Sequence, residues 1–455
     1  MGVTEQRAPE SAPAPDHTHG ALPVVSLPDS VKVLLAAVLP AVVRGLFSPR
    51  KRAMKLLSAL DSDRRAVATL GALRRKHDGD GIRLLGGRLV VLWGAESIRQ
   101  VLDHSAEEYA SDAGAKAKGM SHFQPDALTL SRGEEWRNRR AFAEAVLATS
   151  QRVHPSAAHF LAVVKDEVAQ MRVAPKLEWD EWERLFDRMT LRIIFGDEAR
   201  SDHRLTELLE KLMQQSNRLV GLGHGDDYYE FYGALERRLR DVGPHSLAAR
   251  VQVAPQDDRT RVVQQIPHWM FAMRDTLAAN AYRALAVIAS DPEVEKRVRQ
   301  ELEGADPADP SSIDGAKYLE GCLHEAMRLW PTTPLLARET TGPTPLSGER
   351  LDSGTQVMLL NVFNHRDADH VEGADRLMPE RWQVEPRDYR FNHLSNGSQD
   401  CPGGPLVLLL GKAAIASILT AYHVGLEHPT LAPGEPMPHM LDFFAIRFTV
   451  ESRGT

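Results

Sequence analysis

The chain has 455 residues, with 55 Lys+Arg against 62 Asp+Glu and a formal charge of −7. So mild a balance leaves no electrostatic footprint for nucleic acid, and 43% hydrophobic against 26% charged residues excludes a disordered chain and allows a large core. Two cysteines, Cys322 and Cys401, exclude a disulfide framework and any cysteine-rich zinc or iron–sulfur module.

Residues 1–24 are rich in Pro, Ala and polar residues and read as a flexible tail. The apolar stretch Val31–Phe47 is interrupted by Lys32, Pro40 and Arg44, too short a run to span a bilayer. No small-residue cleavage site follows, so it is not read as a signal peptide. It is expected to be a helix packed on the body, with peripheral membrane contact through its apolar face as the second reading. Residues 25–80 are taken as a helical extension and 81–455 as one catalytic body.

Two short apolar runs, Ile82–Leu85 and Leu89–Trp93, flank Gly86-Gly87 and predict a β-hairpin. Residues 95–330 carry mostly helical periodicity, clearest from Trp179 and from Leu205. In Gly133–Arg140, Trp136 and Arg140 are four apart, so they share a helical face able to grip a carboxylate or simply to meet solvent. A long apolar helix is predicted over Pro267–Ser290, with Asp275-Thr276 in its first half. An acid beside a hydroxyl suits proton delivery, and a structural pair is the alternative. In Gly315–Trp330, Leu319, Cys322, Leu323, Ala326, Met327 and Trp330 form one apolar stripe. Cys322 therefore reads as an inert core thiol, and Glu325 and Arg328 as a pair on the opposite face, exposed on this segment alone.

A β-rich region follows at Pro334–Phe363. Cys401 then stands in a loop with glycines at Gly397, Gly403 and Gly404, ahead of an apolar helix over Leu406–Leu419. Backbone N–H groups before a helix start favour thiolate, and glycines admit a flat cofactor close to the backbone; an ordinary turn remains the other reading. The whole predicts a mainly α protein with a minor β-sheet, not alternating βαβ units. His324-Glu325 lacks the second histidine of a zinc-protease helix, and Gly221–Gly225 lacks the last glycine and the strand context of a dinucleotide loop.

Taken together, these segments resemble the cytochrome P-450 family of haem-thiolate monooxygenases, in its soluble bacterial type, from Ile82 to the C-terminus. Glu325-x-x-Arg328, Pro379-Glu-Arg381-Trp382 and the Cys401 loop match the family's motifs, with Asp291-Pro292 at the usual spacing after the central helix. The resemblance implies the cytochrome P-450 fold, with haem b between the central helix and the Cys401 loop. It makes Cys401 the iron ligand and puts Gly397 and Gly403 beside the cofactor. Trp136, Arg140 and Arg338 would hold its propionates, and Glu325, Arg328 and Arg381 would form a buried structural network. Asp275 and Thr276 would help protonate iron-bound O2, and Met120, Phe123, Ala272 and Met273 would touch a small-molecule substrate. It also implies a cytoplasmic enzyme fed by a ferredoxin and its reductase, with Arg137, Arg139 and Lys412 as candidate docking charges.

The chain departs from the family pattern at Leu394 and Gln399, where an aromatic residue and a basic residue are usual, so one propionate cation is missing. Met273 and Arg274 replace small residues over the haem. Oxidative coupling or ring formation at the same haem, and ligand sensing without turnover, are the alternative functions.

Overall fold

The computed structural model describes residues 22–112, 114–171, 175–218, 221, 223–384 and 388–453. Most of the expected tail lies outside these. Its last residues do not dangle, because Arg83 N donates to Pro23 O and Val25 N to Arg83 O, adding a bridge to the edge of the first hairpin.

The hairpin forms as its glycines predict. Strands Gly81–Leu84 and Leu89–Leu92 pair antiparallel, with Ile82 opposite Val91. The turn needs positive φ at Gly86 (69°) and Gly87 (97°), conformations open to glycine at little cost. Leu89–Leu92 then pairs in parallel with Gln356–Leu359. Leu336–Thr340 and Tyr109–Ala110 follow, completing a five-stranded sheet. Two smaller sheets, Lys176–Glu178 with Arg447–Ser452 and Tyr422–His428, and the ribbon Thr344–Leu346/Glu349–Leu351, complete the β content. The remainder is mostly helical.

Residues 25–80 are helical. Helix Leu27–Val33, a π-helical turn at Leu34–Val38 and helix Leu39–Arg44 run on into Lys51–Ala59 and Ser62–Lys76. Val33 and Ala37 pack with Leu70, Ile82 and Leu84, so this segment shares a core with the sheet. Its other face leaves Leu27, Val31, Leu35 and Leu39 exposed.

The helical core is built around one long element. It begins as helix Val262–Phe271, opens into a π-helical turn at Ala272–Leu277 and continues as Ala278–Ser290. The helix thus starts five residues before Pro267, which it holds in its interior. Asp291 ends it and caps the next helix, Pro292–Glu301, by accepting from Glu293 N at 3.0 Å. Helix Trp179–Phe195 crosses it, with Trp182 Nε1 donating to Ala278 O at 2.9 Å. Helices Lys317–Leu329 and Gly404–Ala421 pack on its second half. Gly404–Ala421 is the one described helix long and apolar enough to cross a membrane, and 72% of it is buried inside the fold.

One contact in this core is set by a glycine. Helix Lys317–Leu329 meets the 3₁₀ turn Pro379–Gln383 so closely that a Cβ on Gly321 would fall inside the van der Waals radius of the Pro379 carbonyl. Gly321→Ala is therefore expected to destabilise the protein by about 1–3 kcal/mol, the usual cost of overpacking, despite alanine's better helix propensity. A urea midpoint equal to or above the wild type's would contradict that packing.

Candidate functional site

The pair read as possibly solvent-facing is the most buried charge pair of this region: Glu325 and Arg328 are both 0% exposed. Arg328 Nε and Nη2 donate to the two Glu325 oxygens at 2.7 and 2.9 Å. The remaining guanidinium protons reach the carbonyls of His365, Ala374 and Arg376. Glu325 also accepts from Met378 N at 2.8 Å and Trp382 Nε1 at 3.0 Å, with Arg381 Nε 3.5 Å away. The exposed reading is thus overturned, because segments 365–382 wrap over a helix face that looks amphipathic in isolation.

This network reaches the cysteine loop through a histidine that sequence reasoning missed. His365 Nδ1 donates to Arg328 O at 3.0 Å, and its Nε2 accepts from Asn392 N at 2.9 Å. Burial pushes His365 down to about 3, so the ring is neutral and this tautomer satisfies both bonds. Asn392 in turn accepts from Asn396 Nδ2 at 2.8 Å. The floor of the loop is therefore anchored to the Glu325–Arg328 pair.

In the loop itself, Cys401 N donates to Leu394 O and Gly404 N donates to Cys401 O. The sulfur accepts the Gly403 N–H, which lowers its pKa, but burial outweighs this and pushes the thiol up. Cys401 nevertheless keeps an accessible surface and borders a cavity of about 390 Å³ lined also by Thr149, Leu394, Leu408 and Leu409. Cys322, by contrast, is fully buried, with its thiol pushed well up. Gly397 has φ +68° and packs on the Leu102 carbonyl; the chain's own close approach explains that glycine. Gly403 and Gly404 have ordinary φ and room for a Cβ, so no contact within the chain demands a glycine at either.

Asp275 and Thr276 fall in the π-helical turn, a feature common at functional sites. Both line a cavity of about 610 Å³, with Phe47, Trp179, Phe271, Ala279, Thr332 and Thr333 among its walls. Asp275 Oδ1 accepts from Arg274 Nη1 at 2.7 Å, while Oδ2 is buried with no partner. Burial and the carboxylates of Glu210, Asp187 and Glu183 push this carboxyl up to about 7 against the pull of Arg274. Arg274 is buried among Asp187, Glu210 and Glu183, so it turns toward helices Trp179–Phe195 and His203–Ser216. Met120, Phe123 and Met273 are buried. None of these three, nor Ala272, lines the cavity; Phe123 stands behind Phe47 and Phe271, ring to ring.

The cations expected around a cofactor are distributed unevenly. Arg338 is 4% exposed, and burial lowers its pKa to about 10. Its Nε donates to Ser105 Oγ at 2.9 Å and its Nη1 to Ala337 O at 3.0 Å. No described carboxylate pairs with it. Ser398 donates to Ser105 O at 2.7 Å, placing Arg338 beside the cysteine loop, where Gln399 Nε2 is buried without a partner. Trp136 Nε1 has no described acceptor, whereas Arg140 is engaged, donating to Glu144 at 2.6 Å, to Asp400 O at 2.6 Å and to the Asp400 carboxylate. Of the docking charges, Arg137 is exposed and paired with Glu134 and Glu107. Arg139 and Lys412 are not surface groups: Arg139 donates to Arg259 O, and Lys412 is buried on Glu320 at 2.6 Å.

An accessible thiol on a loop with two otherwise unexplained glycines, a buried arginine without a counter-ion and an orphaned amide donor together fit a flat, thiolate-ligated metal cofactor bearing carboxylates. Residues 235–441 match the cytochrome P-450 family model. The chain is 28% identical to human cytochrome P-450 4V2 over 35% of this chain and 32% of that protein. It is 26% identical to cytochrome P-450 4c3 of Drosophila melanogaster over 35% and 32%, and 24% identical to cytochrome P-450 81F2 of Arabidopsis thaliana over 67% and 71%. The chain thus spans about a third of the length of the human and fly relatives it matches. Residues 235–441 are thus a cytochrome P-450 domain. These relatives are eukaryotic and lend nothing to the expectation of a soluble bacterial type.

Proposed function

We propose that the chain is a haem-dependent monooxygenase that places one oxygen atom of O2 into a small, apolar or moderately polar substrate. The observation that carries this is the Asp275–Thr276 pair on the wall of the 610 Å³ cavity, on the helix against which the helix following Cys401 packs. Cys401 would ligate the iron, and Arg338 with the Trp136 indole N–H would hold the cofactor's carboxylates. Arg140 would serve by tying helix Gly133–Leu147 to the Asp400 end of the loop. Thiolate-ligated haem supplies an electron-rich iron that favours O–O cleavage.

The chain's own task is to hold and move protons. Thr276 lies in the cavity wall with its hydroxyl free of any described partner, so it can donate toward a bound ligand. Asp275, titrating at about 7, can both hold a proton and release it at neutral pH. Arg274 fixes one oxygen of Asp275 and leaves the other free to pass a proton. Electrons would come from a separate redox partner, by resemblance to the family a ferredoxin and its reductase. The walls carry charged side chains, among them Arg44, Arg50, Lys51, Glu183 and Glu210, beside aromatic and hydroxyl ones, which suits a substrate bearing polar groups rather than a pure hydrocarbon.

Thr276→Ala is expected to keep oxygen uptake driven by reduced ferredoxin while diverting it, so that peroxide released per product formed rises about tenfold or more, a part of the roughly 10²–10⁴-fold that a positioned proton donor contributes. Unchanged coupling would remove Thr276 from proton delivery. Absence of any oxygen uptake across a broad substrate panel would favour ligand sensing instead.

A further inference from the structure

One end of the 610 Å³ cavity is closed by a buried cation that plays no part in proton delivery. Arg283 lies seven residues after Thr276 on the central helix. Thr276, Ala279 and Arg283 all line the cavity, as residues three and seven apart share a helical face. At 1.5 Å of rise per residue, about 10 Å of helix separates Thr276 from Arg283. The guanidinium is buried, with the residue 5% exposed. Its Nε and Nη2 donate to Leu441 O at 3.1 and 2.9 Å, and its Nη1 to Trp330 O at 3.0 Å. These bonds seat it between segments 330–333 and 441–444, which close this end of the cavity, and 5.1 Å from the Phe443 ring centre.

The carbonyls use three of the five guanidinium N–H groups and leave the charge uncompensated. No described carboxylate meets Arg283. Asp63 attracts it but is held by Arg44 at 2.6 and 2.8 Å, and Asp442 attracts it but accepts from Phe444 N at 3.1 Å. Burial accordingly lowers the Arg283 pKa to about 9. Lys51, exposed and 5.9 Å above the Phe444 ring, adds a second cation to the same end. Arg274, the other buried arginine of the wall, is by contrast saturated by Asp187, Glu210, Glu183 and Asp275. The cavity is therefore acidic at one end and carries an unpaired cation at the other. A buried charge without a partner is costly, and the cost is recovered when an anion enters and takes charge-assisted hydrogen bonds. Thr332 and Thr333, whose hydroxyls have no described partner, line the same end and add neutral donors.

We propose that this end of the cavity receives a carboxylate of the substrate, gripped by Arg283 with the Thr332 and Thr333 hydroxyls, while the substrate's apolar body lies among the aromatic walls toward Thr276. The proposal rests on the monooxygenase reading and names its substrate class, an amphipathic acid. A carboxylate suits the two remaining N–H groups better than a phosphate dianion, which Glu183 and Glu210 across the cavity would repel. Arg283 binds and orients the substrate and takes no part in oxygen chemistry.

The test uses three probes on one skeleton, ω-phenylhexanoate, ω-phenylhexanol and ω-phenylhexylamine, with binding to the haem-loaded protein read by equilibrium dialysis at neutral pH. Wild type should bind the acid about tenfold or more tighter than the alcohol, the scale of a hydrogen bond to a charged group, and the amine most weakly. Arg283→Met should lose that preference while binding the alcohol as wild type does, and Arg283→Lys should retain part of it. Equal binding of acid and alcohol by wild type, or tightest binding of the amine, would overturn the proposal without recourse to any variant. So would an Arg283→Met protein that keeps the wild-type preference. Dialysis is blind to turnover, so the two readings fail separately. The acid preference in a protein that consumes no O2 across a broad substrate panel would overturn the monooxygenase reading, and oxygen uptake without the preference would overturn the carboxylate site alone.

Discussion

Arg328→Met is expected to lower stability by about 3–5 kcal/mol, the scale for removing one partner of a buried ion pair. The size follows from what is left behind. Glu325 stays 0% exposed with its charge opposed, among the described residues, only by Arg381 at 3.5 Å, and the carbonyls of His365, Ala374 and Arg376 lose their donors. Orphaned buried acceptors cost about 1–3 kcal/mol each before relaxation. Arg328→Lys should recover little, since an ammonium cannot reproduce the fork that meets both Glu325 oxygens. By contrast, breaking the exposed Arg99–Glu96 pair should cost no more than about 1 kcal/mol. Chemical denaturation of the three variants checks the ranking. An Arg328→Met protein as stable as the Arg99 variant would mean that the network is not structural. The same variant should also loosen the cysteine loop, because Arg328 O holds His365 and His365 holds Asn392.

Much of the fold was legible because its signals are local. Paired glycines between two apolar runs marked the hairpin, and 3.6-residue periodicity marked helices such as Trp179–Phe195. What stayed hidden depended on partners distant in sequence. Glu325 and Arg328 sit opposite an apolar stripe, so the segment alone reads as amphipathic, and burial arises only when residues 365–382 fold over it. Lys412 looked like a surface charge, but Glu320 from a neighbouring helix draws it inside. The long helix runs through Pro267, although proline predicts a start there. The π-helical turn that sets Asp275 and Thr276 on the cavity wall leaves no mark in composition.

The site divides in the same way. Cys401, Asp275 and Thr276 were found from motif spacing, and each stands at a cavity. Arg140 was expected to hold a cofactor carboxylate and is engaged by Asp400 and Glu144. The cavity wall is built from residues as far apart as Phe47, Trp179 and Phe443, which no local pattern could assemble. His365 and Asn392 matter through contacts that join segments distant in sequence.

Cys401→Ser is expected to have the largest effect on function, abolishing turnover while leaving the fold largely intact, because the residue makes its loop hydrogen bonds through its backbone. A serine hydroxyl is a far poorer donor to iron than a thiolate, so the electron density that favours O–O cleavage would be lost. Burial pushes the free thiol up, which disfavours a bare thiolate there, and a bound metal cation reverses that preference. The most direct measurement is the absorption spectrum of the haem-loaded, reduced protein under carbon monoxide, for wild type and Cys401→Ser side by side. A strongly red-shifted Soret band in the wild type, absent from Cys401→Ser at equal haem content, is the expected result. A wild-type band without that shift, or a spectrum unchanged by the substitution, would contradict thiolate ligation by Cys401.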